Sequence, residues 1–232
     1  MPDFYDDDAR LTPPRILALA LTTALVGVLA ALILTVPGGM ERLNLFARER
    51  LDESGVANPV TAVLLNFRGY DTLLEVAVLL LAVIGIWSMA RYARVWIKLP
   101  DTPVLAAFVR LMMPLMVLVA GYLLWLGADA PGGAFQGGAV LGGMGILWIA
   151  AAVWLPSFHL VRFARVMLVL GLIAFVGVSA LLLLIEGNFM DYPTGEAKNW
   201  ILLIESAATI SIGMTLTMLF VGGVPQPKED SE

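Results

Sequence analysis

The chain has 232 residues, 59% of them hydrophobic and 14% charged, with a net charge of −5 and a mean hydropathy of +0.87. A water-soluble domain of this length cannot hide so much apolar side chain beneath a polar surface, so the composition predicts an all-α integral membrane protein in contact with a lipid bilayer. The acids gather at the two ends (Asp3, Asp6, Asp7 and Asp8; Glu229, Asp230 and Glu232), and no basic stripe of the kind that binds nucleic acid is present. With no cysteine and one histidine, His159, the sequence offers no disulfide, no iron–sulfur or thiolate metal site and no two-histidine haem site. No cofactor is expected, and any redox chemistry falls to a partner.

In chain order, acids and Pro13-Pro14 precede the first apolar run, and no small-residue cleavage site follows it, so that run reads as a retained span rather than a signal peptide. Crossing a bilayer takes roughly 20 residues. About six transmembrane helices are predicted on that measure, near Ile16–Val36, Thr72–Arg91, Pro103–Leu126, Ala134–Leu155, Ala164–Ile185 and Trp200–Val221. The loops are short except Pro37–Tyr70. Within that loop, Met40–Leu51 alternates Leu43, Phe46 and Leu51 with Arg42, Arg48, Glu49 and Arg50, the pattern of a helix lying in the interface plane. Asn58-Pro59 then leads into Val60–Leu65, too short to span, which reads as a surface helix or as the dipping start of the second span. Arg10, Arg15, Arg91, Arg94, Lys98, Arg162, Arg165 and Lys228 fall on one side, against Arg42, Arg48, Arg50, Arg68 and Lys198 on the other. The excess predicts both termini on the cytoplasmic side.

Three segments carry candidate chemistry. At the start of the second span, Arg68-Gly69-Tyr70-Asp71-Thr72-Leu73-Leu74-Glu75 puts Glu75 one turn inside apolar sequence, on the face of Asp71, with Arg68 able to pair with either acid. An acid at that depth reads as a proton or cation relay, or else Asp71 caps the helix and Glu75 completes its first turn. In the last span, Glu205 heads a small and polar stripe with Thr209, Gly213 and Thr217, which suits ion handling or a subunit contact. Between the third and fourth spans, Gly127 to Gly143 is glycine-rich. Gly133/Gly137 and Gly138/Gly142 have the small-xxx-small spacing of helix contacts, and Pro131-Gly132-Gly133 leaves N–H groups free at a helix start suited to an anion or carboxylate. Arg110, inside the third span, needs a counter-charge or must snorkel, and Pro114 is expected to kink that helix. His159 is expected in a loop beside Arg162, with Glu186 and Asp191 solvated.

Two of these segments resemble known proteins. Asn58 through Glu75 resembles the end of the large A subunit of Mrp-type multisubunit sodium/proton antiporters, an element that is a separate E subunit in membrane-bound hydrogenases. That family carries D-F-R-G-[FY]-D-T-L-x-E, and here Asn66 takes the place of the first Asp. Pro103–Gly222 resembles the four-helix B subunit of the same antiporters, whose G-x-x-x-P-G-G-x-F-x-G-G pattern is matched by Gly127, Pro131, Gly132, Gly133, Phe135, Gly137 and Gly138. Glu205 stands where that family usually has Asp, and Ala128-Asp129 replaces a common His-Asn. The resemblance implies a fusion of two modules, residues 1–99 and 100–232, joined at Leu99-Pro100-Asp101. It further implies a multi-pass subunit in a prokaryotic cell inner membrane, with no enzymatic role of its own. Its partners would be antiporter-like large subunits and small helical subunits, its ions sodium and protons, and its translocation residues Glu75, Asp71 and Glu205. The same module in a redox-driven hydrogenase or formate hydrogenlyase relative is the alternative the resemblance leaves open.

Overall fold

The computed structural model describes residues 13–35, 40–89, 102–151, 158–193 and 195–222. The expected module joint at 99–101, the basic residues at 10, 91, 94, 98 and 228, and the acidic ends lie outside them. The chain divides into two compact units, Met1–Phe46 and Ala47–Glu232. The first holds helix α1 (Pro13–Thr35) and most of α2 (Met40–Glu49). The amphipathic segment expected over Met40–Leu51 is therefore helical as far as Glu49.

The second unit continues with a 3-10 turn (Leu51–Ser54), a short helix α3 (Pro59–Ala62) and a π turn (Val63–Phe67). Four long helices and one shorter one follow: α4 (Gly69–Met89), α5 (Pro103–Leu126), α6 (Ala134–Ala150), α7 (Phe158–Glu186) and α8 (Ala197–Val221). Local signals set several ends. Asn58 caps α3 by accepting from the Val60 N–H at 3.0 Å, with Pro59 at the first helical position. Thr102 caps α5 in the same way through Leu105, again before a proline. Helix α8 stops at Gly222 in the left-handed region, φ 69°. Among the described residues, α4, α5, α8 and Arg162–Glu186 of α7 are long and apolar enough to cross a membrane, while Leu19–Thr35 and Ala134–Ala150 are shorter apolar helices.

Val60–Leu65, read as a surface helix or as the dipping start of the second span, is the end of α3 and the start of the π turn that leads to α4. Thr61, Ala62 and Leu65 are buried, so the segment packs into the bundle rather than lying on a surface. A π turn frees carbonyls from the usual ladder, and side chains take them up. Thr72 Oγ1 donates to Leu64 O at 2.7 Å, and the Tyr192 hydroxyl donates to Leu65 O at 2.9 Å. His159, expected in a loop, stands in the first turn of α7. Pro114 lies inside an α5 that runs unbroken from Pro103 to Leu126.

Helix α8 is the centre of the second unit, packing most extensively on α6 and then on α7. The α6 contact depends on missing side chains. A Cβ at Gly138 would stand 2.7 Å from Ile212 Cγ2, one at Gly142 would stand 2.8 Å from Leu216 Cβ, and one at Gly213 would stand 2.8 Å from Leu141 Cβ. Where lipid is as apolar as the side chains, such close approach of backbones is what favours helix on helix over helix on lipid. Ala134, Ala208, Ile212 and Val76 of α4 close one apolar cluster, and Phe175, Leu182, Ile201 and Ile204 anchor another nearer the α8 start.

Candidate functional site: a buried carboxylate at the start of α6

One end of the bundle gathers the segment leading into α4, the turn from α5 to α6, and the segment entering α8. The Tyr192–Leu65 hydrogen bond ties the first to the third, and hydrogen bonds from Ala57, Asn58 and Thr61 to the turn tie the first to the second. An ion pair between Lys198 Nζ and Asp129 Oδ2, 2.7 Å long and half exposed, links the turn to the first residues of α8.

Glu205 lies beneath this end. It is eight residues past Ala197, about 12 Å along the helix at the usual rise, and only 5% exposed. The Ala134 N–H, the first of α6, acts on its carboxylate. A helix start carries free N–H donors and partial positive charge, both complementary to an anion. Gly133 makes this approach possible. Its φ of 109° is left-handed, and a Cβ there would stand 2.7 Å from Glu205 Oε1. The other oxygen, Oε2, is buried with no hydrogen-bond partner among the described residues. The glycine turn thus receives a carboxylate of its own chain. Tyr192, outside the spans, has its phenol held above the usual range by burial first and by the Glu205 charge second, so it stays a donor to Leu65 O.

The other sequence-predicted residues are arranged differently. Arg68 pairs with Asp71 at 2.6 Å, one turn apart and well exposed, so Asp71 is half of a surface ion pair inside the first turn of α4. Glu75, about 9 Å into α4 at the usual rise, points outward. It lines an open groove with Asp71, Leu74, Val78, Leu79 and Phe135, and no ion pair to it exists among the described residues. Phe135, next to Ala134, lines the groove, so the groove and the Glu205 site share the α6 start. Arg110 is exposed on α5. Gly137 lies against Ala120 O and Thr209, and Gly138 and Gly142 lie on α8. Pro131 and Gly132 form the turn itself, with Glu186 exposed and Asp191 accepting from Asn188 at 3.2 Å. No group of three or more His, Asp or Glu side chains gathers as a metal-ligand set among the described residues. Sequence reasoning missed Tyr192, Thr61 and Lys198. The sequence singled out the stretch from Asn58 to Glu75 by its resemblance, without indicating that it meets the turn.

The fold and this site define a class: a multi-pass helical membrane protein that buries a carboxylate inside a span. Residues 104–224, more than half of the chain, match the family described as a domain related to the MnhB subunit of Na+/H+ antiporter, and residues 12–101 match the family of the MBH E subunit. The chain belongs to this MnhB-related family. Among solved structures, it is similar to a chain of the membrane-bound sulfane sulfur reductase (MBS), an archaeal respiratory membrane complex. The identity is 25% and the TM-score 0.66, over 91% of this chain and 98% of that one. It is also similar in fold to a chain of the Mrp complex from Dietzia sp. DQ12-45-1b, at 22% identity and a TM-score of 0.57. That likeness covers 96% of this chain and 27% of the Dietzia chain, so the protein spans about a quarter of that relative's length. No curated protein matches.

Proposed function

We propose that the chain is a membrane subunit of a multisubunit monovalent cation (sodium)/proton antiporter in a prokaryotic cell inner membrane. It would contribute intramembrane carboxylates and subunit contacts to ion translocation. The observation that carries this reading is Glu205, a carboxylate buried inside a span with one oxygen lacking a hydrogen-bond partner among the described residues. Placing a charged acid at the centre of a bilayer costs about 2.5–3.5 kcal/mol on insertion scales, and more where nothing compensates. The α6 start compensates one oxygen only, which leaves the other to take up and release a proton. Glu75 adds a second acid at similar depth from the same end, facing outward where a neighbouring subunit would cover it, with Asp71 and Arg68 at its mouth. The family matches over 12–101 and 104–224 support a fusion of an E-like module, residues 1–99, with a B-like module, residues 100–232.

One observation favours a second reading. The likeness that runs end to end, 98% of the other chain, is to a chain of a respiratory complex. In that setting the same carboxylates would serve a pump driven by electron transfer on partner subunits.

The test is transport by the reconstituted complex carrying Glu205→Gln or Glu75→Gln. Glu205→Gln is expected to lower ion-coupled proton movement on the order of a hundredfold, the scale seen when a proton-transferring group is removed, with the subunit composition unchanged. Wild-type transport by that variant overturns the reading and leaves the chain a structural clamp between larger subunits.

A further inference from the structure

Asn58 uses every polar atom of its side chain. Oδ1 accepts from the Val60 N–H, while Nδ2 donates to Gly127 O at 2.9 Å and to Ala130 O at 2.8 Å. The backbone N–H groups of Ala57 and Asn58 both donate to Ala128 O at 3.0 Å, and the Thr61 hydroxyl donates to Gly127 O. Asn58 and Thr61 are each 5% exposed. All these acceptors belong to Gly127–Ala130, just beyond α5, where a helix end leaves carbonyls without partners.

The far end of the same turn is Gly133, whose N–H returns to Leu123 O at 2.8 Å and whose left-handed backbone brings Ala134 to Glu205. The turn is therefore gripped at one end by residues from before α4 and presents the α6 start to a buried acid at the other. The acid is 5% exposed and keeps one oxygen unpartnered among the described residues, so small movements of the turn change its surroundings.

We propose that Asn58 and Thr61 are positioning residues that clamp the α5–α6 turn and thereby fix the approach of the α6 start to Glu205. The effect on transport rests on the ion-handling reading of Glu205; the clamp itself does not.

A cap role and a clamp role separate cleanly at Asn58. Asn58→Asp keeps an oxygen for the Val60 N–H, and Asp caps helices as well as Asn does. It replaces the donor with an acceptor facing two carbonyls. Thr61→Val keeps the shape and removes the hydroxyl.

The experiment is hydrogen–deuterium exchange of the intact complex, read at the amides of residues 133–136, together with reconstituted transport. Exchange there is expected to quicken on the order of tenfold in Asn58→Asp, as for loss of a buried hydrogen bond, and by a smaller factor in Thr61→Val. Transport is expected to fall in both. In a Glu205→Asp background, whose shorter side chain withdraws from the turn, Asn58→Asp is expected to cost a smaller factor than in wild type. Wild-type exchange in Asn58→Asp overturns the clamp, and an equal transport loss in both backgrounds overturns its action through Glu205. Should Asn58→Asp fail to assemble, Thr61→Val decides by the same two readouts. If Glu205 variants transport normally, the ion role of Glu205 fails while the exchange rates still decide the clamp.

Discussion

Glu205 and Tyr192 illustrate two ways in which a buried polar group is kept in an apolar bundle. Glu205 has a helix start on one oxygen and no partner on the other among the described residues, whereas Tyr192 is fully used, donating to a carbonyl that the π turn releases. The phenol's raised pKa makes its contribution depend on pH with a definite sign. The folded state holds the proton more tightly than the unfolded chain, so the stabilisation is complete below the ordinary phenol value near 10 and is lost as pH rises beyond it. Tyr192→Phe is expected to lower stability by about 1–2 kcal/mol at neutral pH, because Leu65 O loses its partner. The variant should also lose part of the alkaline fall in unfolding temperature above pH 10. Thermal unfolding in detergent at neutral and alkaline pH checks both. An alkaline fall as steep in the variant as in wild type would mean that the Leu65 contact is not what the phenol protects.

At the scale of elements, the α6–α8 contact is built by subtraction. Gly138, Gly142 and Gly213 admit Ile212, Leu216 and Leu141 to distances at which any side chain would collide. Gly138→Ala therefore gains helix propensity yet is expected to destabilise by about 1–3 kcal/mol, the cost of overpacking; an unchanged unfolding temperature would show that the contact can open without loss. The small-xxx-small spacing made this contact readable from sequence, because period-four glycines mark one helix face whatever that face meets. The long apolar helices were legible for a similar reason, since length and hydropathy need no knowledge of neighbours. Val60–Phe67 was not legible. A π turn has no propensity signature of its own, and its burial depends on Tyr192, 127 positions along the chain from Leu65. The partners of Asp71 and Glu75 were half legible: spacing placed both acids on one face, but only the fold turned that face outward and gave Arg68 to Asp71 alone.

For the whole molecule, the outward face of Glu75 and the exposed Arg110 are the features that a lone chain in lipid would accommodate worst. Both lie within apolar helices, where the complex proposed above would cover them with other subunits at membrane depth. The most direct measurement is mass spectrometry of the complex that co-purifies with this chain in mild detergent. The account predicts antiporter-like membrane subunits in fixed stoichiometry, with stoichiometric soluble redox subunits added if the respiratory reading holds. Purification of the chain alone, with no other membrane protein bound, would contradict it.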